Sequence, residues 1–477
     1  MELDNVGGRR RPDELELPDD VLLNILERVG TLDAVRTCVA SKKTLRLLTM
    51  LSQIVIVLGA RELVRKNGVV ADVTDRILSA RSPHMIPIRN LKLKFIMRGD
   101  DHLKIGRSVA LAMARQKIEA AEFEILTTKC YHKCTLKVDI IYFAKQFNAF
   151  IGECPDAFGG LTRLHLQNMR FGESDIPNIL STCKRLESLS FILCDSGVHS
   201  VLQVEHARLV ELDIFTGYFL TVELNYLPKL QRMCYRNWHY TNNPLVLGFV
   251  PRLSNLSLAN RYPDDLNDTI KLSQLLVNAP SIIDLHLDFQ GGKVWLHRES
   301  GKLLAPLLNK LLFLNLDNIP EKYGIAWTLS FLEAAPSLQE LCITVSDHKC
   351  LTDSQENLPK KTDVKWEPSV ADFKHKNLVK LTIHGFESDG NFTSYVRCVM
   401  KVAVNIHEIF LHGRKLCKFC CNKIRPSRYY PRTRREKDWL SKKITEALAT
   451  ASPAVIQFRP SCYYSHLDIE YYEHEHH

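Results

Sequence analysis

Apolar residues recur along most of this chain in a single spacing. An apolar residue is followed by two others, an apolar residue, one other and a further apolar residue. The clear copies begin at Leu161, Leu186, Leu209, Leu230, Leu253, Ile282, Leu311, Leu338, Leu378 and Ile406. Weaker copies begin at Ile88 and Ile118. The six steps from Leu161 to Leu311 cover 150 residues, a mean of 25 residues a step.

That period is typical of leucine-rich repeats, whose copies are about 20–29 residues long. The last two apolar residues of each copy alternate with others, as on the inner face of a short strand. One copy cannot bury this face, but stacked copies form a continuous core. The intervening segments 176–180 and 272–276 have the apolar spacing of short helices. We therefore predict an α/β solenoid over 80–413, with a parallel sheet on its concave face and helices on its convex face.

The side chains that flank the inner leucines would form the concave surface, which is the candidate site for a target protein. We expect an exposed aromatic such as Phe215, lying beside charged residues, to suit protein recognition. The candidate target-binding residues are Arg163, His165, Asp213, Phe215, Arg232, Arg236, Asp284 and His286. Flanking positions also include Gln167, Glu211, Cys234, Asp288, Glu340 and Thr344.

Helical spacing appears close to the N-terminus. Leu22, Ile25, Leu26 and Val29 lie on one face of a predicted helix, with Pro18 in its first position. Thr31 can cap a second helix, and 41–51 has the spacing of a third. Three helices of this length cannot bury their own apolar surface, so the unit is expected to share that surface with something else.

Segments 17–26, 33–37 and 41–43 together resemble the plant F-box motif, over a predicted domain at 15–51. The resemblance implies docking on a Skp-type adaptor, which links the chain to a cullin scaffold in a ubiquitin ligase. The matching adaptor-facing or supporting positions are Leu17, Pro18, Leu22, Ile25, Leu26, Val35 and Val39. The chain departs from the motif at Gly30, where the family usually has a Pro, and at Thr44, where it usually has a Trp.

A polar insert at 346–376 interrupts the repeats, and the segments around it carry a second resemblance. Segments 331–341, 372–378 and 385–386 are similar to the C-terminal half of grass F-box proteins with leucine-rich repeats. This resemblance implies a non-catalytic subunit that recognises the target of a Skp–cullin–F-box ligase, while a separate enzyme transfers the ubiquitin. The alternative is a repeat scaffold or sensor without cullin association.

Charge is concentrated in one segment. The chain has 63 basic and 54 acidic residues and a formal charge of +9, and the tract 414–443 holds twelve basic residues against two acids. Such a tract could serve nuclear import, nucleic-acid contact or attraction to an acidic partner, and the alternative is a solvated loop without a binding role. Nucleic acid is the less favoured partner, because phosphate contacts alone read no sequence. A capping helix at 439–448 and a strand at 455–458 would end the fold, followed by a tail at 461–477.

No nucleotide-binding loop, nucleophile elbow or EF-hand motif occurs, so we predict neither an enzyme nor a cofactor. His412, Cys417, Cys420 and Cys421 have a spacing that could hold zinc, although reduced, unligated cysteines are the alternative. The polar segment 1–14 is expected to be disordered and has no signal-like apolar core. We therefore expect the cytoplasm, the nucleus or both as the location, and no membrane partner.

Overall fold

The computed structural model describes residues 18–29, 31, 47–81, 86–129, 133–135, 138–197, 199–239, 243–260, 269–290, 294–346, 372–414, 430–446 and 454–459. These residues belong to two compact units. The first lies within 1–126 and 152–161, and the second within 127–151 and 162–477. No helix in the described ranges is long and apolar enough to cross a membrane.

The helices of the described segments are α1 (Asp19–Arg28), α2 (Ala60–Ser79), α3 (Asp101–Arg115), α4 (Asp139–Glu153), α5 (Pro155–Gly159), α6 (Asp175–Thr182), α7 (Leu272–Leu275), α8 (Gly301–Leu308), α9 (Ser330–Ala334), α10 (Gly390–Val402) and α11 (Arg434–Thr445). Short 3-10 turns occur at Glu321–Tyr323 and Ala326–Leu329. Helices α6 and α7 fall where the apolar spacing predicts them.

The strands are β1 (Gln53–Ile56), β2 (Ile88–Ile96), β3 (Ile118–Leu126), β4 (Arg163–Gln167), β5 (Ser188–Ile192), β6 (Ser200–Glu205), β7 (Glu211–Phe215), β8 (Phe219–Tyr226), β9 (Arg232–Arg236), β10 (Leu245–Phe249), β11 (Asn255–Ala259), β12 (Asp284–Asp288), β13 (Phe313–Pro320), β14 (Glu340–Ser346), β15 (Lys380–His384), β16 (Glu408–His412) and β17 (Val455–Arg459).

In the first unit, α1 begins at Asp19. Pro18 is the residue before the helix rather than its first member, so the predicted start is one residue too early. The Glu27 carboxylate accepts hydrogen bonds from the backbone N–H and the hydroxyl of Ser52, at 3.1 and 2.7 Å, which fastens the end of α1 to the start of β1. Segment 32–46, which holds most of the other two predicted helices, lies outside the described residues.

Strands β1, β2 and β3 of the first unit pair in parallel, with α2 and α3 as crossover helices. The apolar side chains of these strands are buried, as the weak repeat copies at Ile88 and Ile118 predict. Asn67 of α2 completes the core because its side chain bonds both the N–H and the carbonyl of Ile96, at 2.7 and 3.0 Å. A buried amide with partners on both sides avoids the desolvation cost of an unsatisfied polar group.

In the second unit, the ten clear repeat copies form strands of one parallel sheet, in the order β4-β5-β7-β9-β11-β12-β13-β14-β15-β16, and β17 follows β16 in the same sheet. The predicted repeat strands are therefore confirmed. The inner leucines, such as Leu164, Leu189 and Leu285, are almost fully buried. The register keeps equivalent repeat positions side by side from β4 to β13, and the first shift between these strands falls between β13 and β14.

The layer behind this sheet is only partly helical. Strands β6, β8 and β10 form a second, three-stranded parallel sheet between repeats, where the sequence analysis predicts helices. Their alternating side chains explain the difference, since Leu202, Val204, Val222 and Leu224 are buried on one face, while the intervening Gln203 is exposed and Glu223 half-buried. A period of two favours strands over helices.

The C-terminal elements differ from prediction in their bounds. Helix α11 begins at Arg434, five residues before the predicted start, because Thr433 and Glu436 form a capping box. The basic tract 414–443 thus contains most of a helix. Strand β17 forms as predicted and pairs with β16. Within the predicted insert, the described ends are ordered: β14 runs to Ser346, and His375 already bridges to Ala403.

Candidate functional site

The side chains that flank the inner leucines of the second unit form three parallel rows, which we call the ladder face. The first row consists of Arg163, Ser188, Glu211, Arg232, Asn255, Asp284, Phe313, Glu340, Lys380, Glu408 and Val455. Parallel neighbours lie about 4.8 Å apart, so side chains in one row can bond each other from strand to strand.

Arginines neutralise the carboxylates of the first part of the ladder face. Arg236 bonds both oxygens of Asp213 at 3.0 Å. Arg232 contacts Glu211, which also lies 3.9 Å from Arg163. One guanidinium nitrogen of Arg236, Nη2, makes both contacts to Asp213. The pair is half-buried, so solvent screens it less than it screens an exposed pair.

Phe215 does not lie open on this face. Its exposed fraction is 8%, and the Arg236 guanidinium lies 5.2 Å from the centre of its ring. The prediction of an exposed aromatic at this position is wrong, because a long side chain on the next strand covers the ring. Gln167 and Thr344, which occupy in β4 and β14 the same repeat position that Phe215 occupies in β7, are also buried. The other predicted target-binding residues are exposed or half-buried, and their role in binding stays a prediction.

His286 lies at the centre of the next part of the ladder face. Its Nδ1 is 3.2 Å from the Ser257 hydroxyl, and its Nε2 is 3.2 Å from the Asp317 carboxylate. Asn315 also donates to Asp317, at 3.3 Å. Asp284 and Asp288 flank His286 on the same strand, so the cluster is acidic.

The pKa values of this cluster depart from their ordinary values. Burial lowers the pKa of His286, but the hydrogen bond and charge of Asp317, with the charges of Asp288 and Asp284, outweigh it and raise the pKa overall. Burial, and then the nearby charge of Asp317, raises the pKa of Asp288. Asn318 and the N–H of Gln290 donate to Asp288 at 2.9 and 2.7 Å and oppose that rise.

A serine, a histidine and an aspartate in a chain also occur in hydrolases, where free hydrogen-bond donors, often backbone N–H groups next to the nucleophile, hold the oxyanion. Ser257 lies in the middle of β11, which pairs on both sides with β9 and β12. The ladder therefore engages the neighbouring N–H groups. The cluster suits recognition through hydrogen bonds and charge.

The sequence analysis does not identify Ser257, Asn315 or Asp317 as site residues. The signal was available, because each occupies a flanking position of a repeat copy beside a candidate residue. It also does not identify the contacts of Arg414, which donates to Glu321 at 3.1 Å and to Glu387 at 2.6 Å. These contacts join segments far apart in sequence, so local spacing gives no indication of them.

In the first unit, helix α1 presents exposed apolar side chains. Val21 and Ile25 are 41% and 45% exposed, and Val29, the extended residue that follows the helix, is 39% exposed, whereas Leu26 is buried. Leu22 is half-buried. Of the other predicted adaptor-binding residues, Pro18 lies before α1, while Leu17, Val35 and Val39 lie outside the described residues, as do Gly30 and Thr44.

The proposed zinc ligands are divided in the same way. His412 is buried and stacks on His384, with the ring centres 4.3 Å apart. Cys417, Cys420 and Cys421 lie outside the described residues, so a zinc site there stays a prediction. The described ranges contain no group of His, Cys, Asp and Glu that could hold a metal ion.

Comparison with known proteins gives two family matches. The model of the At1g61320/AtMIF1 leucine-rich-repeat domain matches residues 152–451, more than half of the chain. The F-box domain model matches residues 15–54. The chain thus carries an F-box domain followed by a leucine-rich-repeat domain, as in plant proteins of this architecture.

A curated relative, the putative FBD-associated F-box protein At5g22720 of Arabidopsis thaliana, is 26% identical over 208 residues. The match covers 42% of this chain and 43% of that protein's length. Among solved structures, a chain of the TLR13–ssRNA13 complex is 12% identical, with a TM-score of 0.39 and coverage of 78% of this chain and 52% of that one.

Proposed function

Because the chain belongs to the At1g61320/AtMIF1 leucine-rich-repeat family and also carries an F-box domain, we propose that it is the substrate-recognition subunit of a Skp–cullin–F-box ubiquitin ligase. The F-box domain would bind a Skp-type adaptor, and the ladder face would bind the target protein. The chain would contribute proximity between target and enzyme, with no chemistry of its own.

The observation that carries the adaptor half of this proposal is the exposed apolar side chains of α1. Val21 and Ile25, one turn apart on the helix, are 41% and 45% exposed, and Val29, just after the helix, is 39% exposed. Apolar side chains in a row on a helix suit a protein groove, where burying them releases about 25 cal/mol for each Å² of apolar surface.

Purified chain mixed with a Skp-type adaptor at micromolar concentration tests this half. We expect a complex, and the substitution Ile25→Asp should weaken it at least about tenfold, because a charge would enter an apolar contact. Val64→Asp is the matched control, since Val64 is 52% exposed on α2 of the same unit. Absence of a complex with the unchanged chain would favour the scaffold without cullin association.

The target half of the proposal is supported by the ladder face, which offers charged and hydrogen-bonding side chains on a continuous sheet. Proteins that accumulate when the chain is removed from cells, in the cytoplasm or the nucleus, are the candidate targets. A true target should bind the purified chain directly. Arg232→Glu and His286→Ala, one from each part of the face, should weaken that binding, whereas Lys302→Glu on α8 should not.

A further inference from the structure

Helix α11 of the second unit is held firmly at both ends. Thr433 and Glu436 form its capping box, and Arg397 donates to the last carbonyls, at 2.9 Å to Lys443 and 3.4 Å to Ile444. Leu440 and Ile444 are buried beneath it. The outer side of the helix is therefore presented on a fixed support.

That outer side carries an exposed tryptophan between two cations. Trp439 is 60% exposed, and Arg435 and Lys443 lie one turn before and one turn after it. The Lys443 ammonium is 5.0 Å from the centre of the Trp439 ring. We call Arg435, Trp439 and Lys443 the stripe. A large exposed aromatic flanked by arginine or lysine is a common anchor of protein contacts.

Charge on this helix is too mixed for nucleic acid. Arg434 pairs with Asp438 at 3.9 Å, and Lys442 pairs with Glu446 at 3.7 Å. Within the described residues, neither Arg435 nor Lys443 pairs with a carboxylate. A phosphate backbone is bound by several cations in series. Two cations around one aromatic ring fit a short acidic peptide with an apolar residue.

The sequence of the chain contains such a peptide. Segment 461–477, which lies outside the described residues, has four acids and no lysine or arginine. The part 467–473 alternates apolar and acidic side chains around Asp468 and Glu470. Its chemistry complements the stripe in both charge and apolar character.

The attachment point of this segment lies near α11. The carbonyl of Arg459, at the end of β17, accepts a hydrogen bond of 2.5 Å from the Tyr430 hydroxyl, four residues before α11 begins. From Arg459 to Trp439 the chain geometry allows at most about 35 Å. The ten to fourteen residues that lead from Arg459 to 469–473 span about 34–48 Å when extended, so this part of the segment can reach the stripe. A tether this short gives an effective concentration in the millimolar range, and a weak contact is enough.

We propose that the acidic segment 461–477 docks on the stripe of α11 within the same chain. The carboxylates of 468–473 pair with Arg435 and Lys443, and an apolar side chain of that segment packs on Trp439. An acidic segment of a partner protein would have to displace this contact in order to use the stripe. The proposal is independent of the F-box and ladder-face assignments.

Zero-length carbodiimide cross-linking of the full chain, followed by mass spectrometry, tests the proposal. We expect cross-links from Lys442 and Lys443 to Asp468, Glu470 or Glu473, which fall about fivefold in Arg435→Glu/Trp439→Ala, a variant that keeps both lysines. Raising the salt from about 50 to about 500 mM should lower them similarly. All changed residues are on the surface, so folding is preserved.

The matched control is Lys302→Glu/Leu303→Ala, which removes a cation and a 54% exposed leucine from α8 of the same unit. It should leave the cross-links unchanged. Equal cross-linking of the segment to lysines elsewhere would overturn the proposal. So would cross-links that form only between chains in a mixture of light and heavy isotope-labelled protein, because the occupant would then be a second copy.

Discussion

Two parts of the ladder face share one backbone geometry and treat charge in opposite ways. From β4 to β9, carboxylates lie against arginines, as in the pair of Asp213 and Arg236. From β11 to β13, the carboxylates lie against amides and His286, and Ser257 contacts the other ring nitrogen of His286. The repeat fixes where the side chains lie, and the residue types at those positions decide whether the surface is neutral or acidic.

The difference has a physical consequence for binding. Where carboxylates are already paired with arginines, a partner gains little by adding a charge, and breaking a pair is costly. Where carboxylates lie close together without cations, a positive charge from the partner lowers their mutual repulsion. A target with basic residues should therefore be oriented toward the acidic part around Asp288 and Asp317. Three substitutions test whether the two parts differ as described.

Arg236→Ala should have the largest effect on stability. It removes the cation paired with half-buried Asp213 and uncovers Phe215, so the free energy of unfolding should fall by about 1–3 kcal/mol. Urea unfolding measures the change, provided that the dependence of the unfolding free energy on urea concentration is the same in both proteins. Arg163→Ala is the control: its side chain is 52% exposed and 3.9 Å from Glu211, so its loss should cost at most about 0.5 kcal/mol. Equal costs would mean that the first part is not held by its pairs.

Asp288→Asn should raise the free energy of unfolding. The raised pKa means that the folded chain binds a proton more readily than the unfolded chain, so ionised Asp288 destabilises the fold. The amide keeps an acceptor for Asn318 and Gln290, and we expect a gain of about 0.5–1 kcal/mol near pH 8. The gain should vanish below the ordinary pKa of a carboxyl group. A loss at every pH would show that the acidic part carries no net repulsion.

His286→Gln should have the smallest effect, visible in its pH dependence. Because the folded pKa of His286 is raised above 6.5, its stabilising charge is complete below that value and is lost as the pH rises through the folded pKa. The side chain is 35% exposed, so solvent limits the effect to a few tenths of a kcal/mol. Between about pH 5 and pH 8, the unfolding midpoint should vary less with pH in the variant than in the unchanged chain.

If the unfolding midpoint of His286→Gln varied with pH as steeply as that of the unchanged chain, the distinction between the two parts would be removed.

Much of this fold follows from the leucine spacing, because an inner leucine has no alternative to burial in the stack. The strands at Leu164, Leu285 and Ile409 could be located for that reason. The second sheet of β6, β8 and β10 was missed since its alternation is short and lies between stronger copies. An alternation of only three or four residues is a weak signal for a strand, and the segments between leucine-rich repeats were expected to be helical.

The candidate site was only half predictable. Flanking positions such as Arg232 and His286 follow from the repeat, but whether a side chain is open depends on its neighbour in the next strand. Phe215 is covered by Arg236 from a strand twenty residues further along, and Arg414 meets Glu321 across ninety-three residues. Such contacts depend on the register, which a single copy of the repeat does not contain.

The unbroken register from β4 to β13 also sets a measuring scale for anything that lies across it. Strands repeat about every 4.8 Å, while an extended peptide advances about 3.4 Å for each residue. Side chains on one face of such a peptide recur at every second residue, about 6.8 Å apart, so two of these steps match three strands almost evenly. A target segment crossing the ladder would therefore repeat its contacts at about every fourth residue.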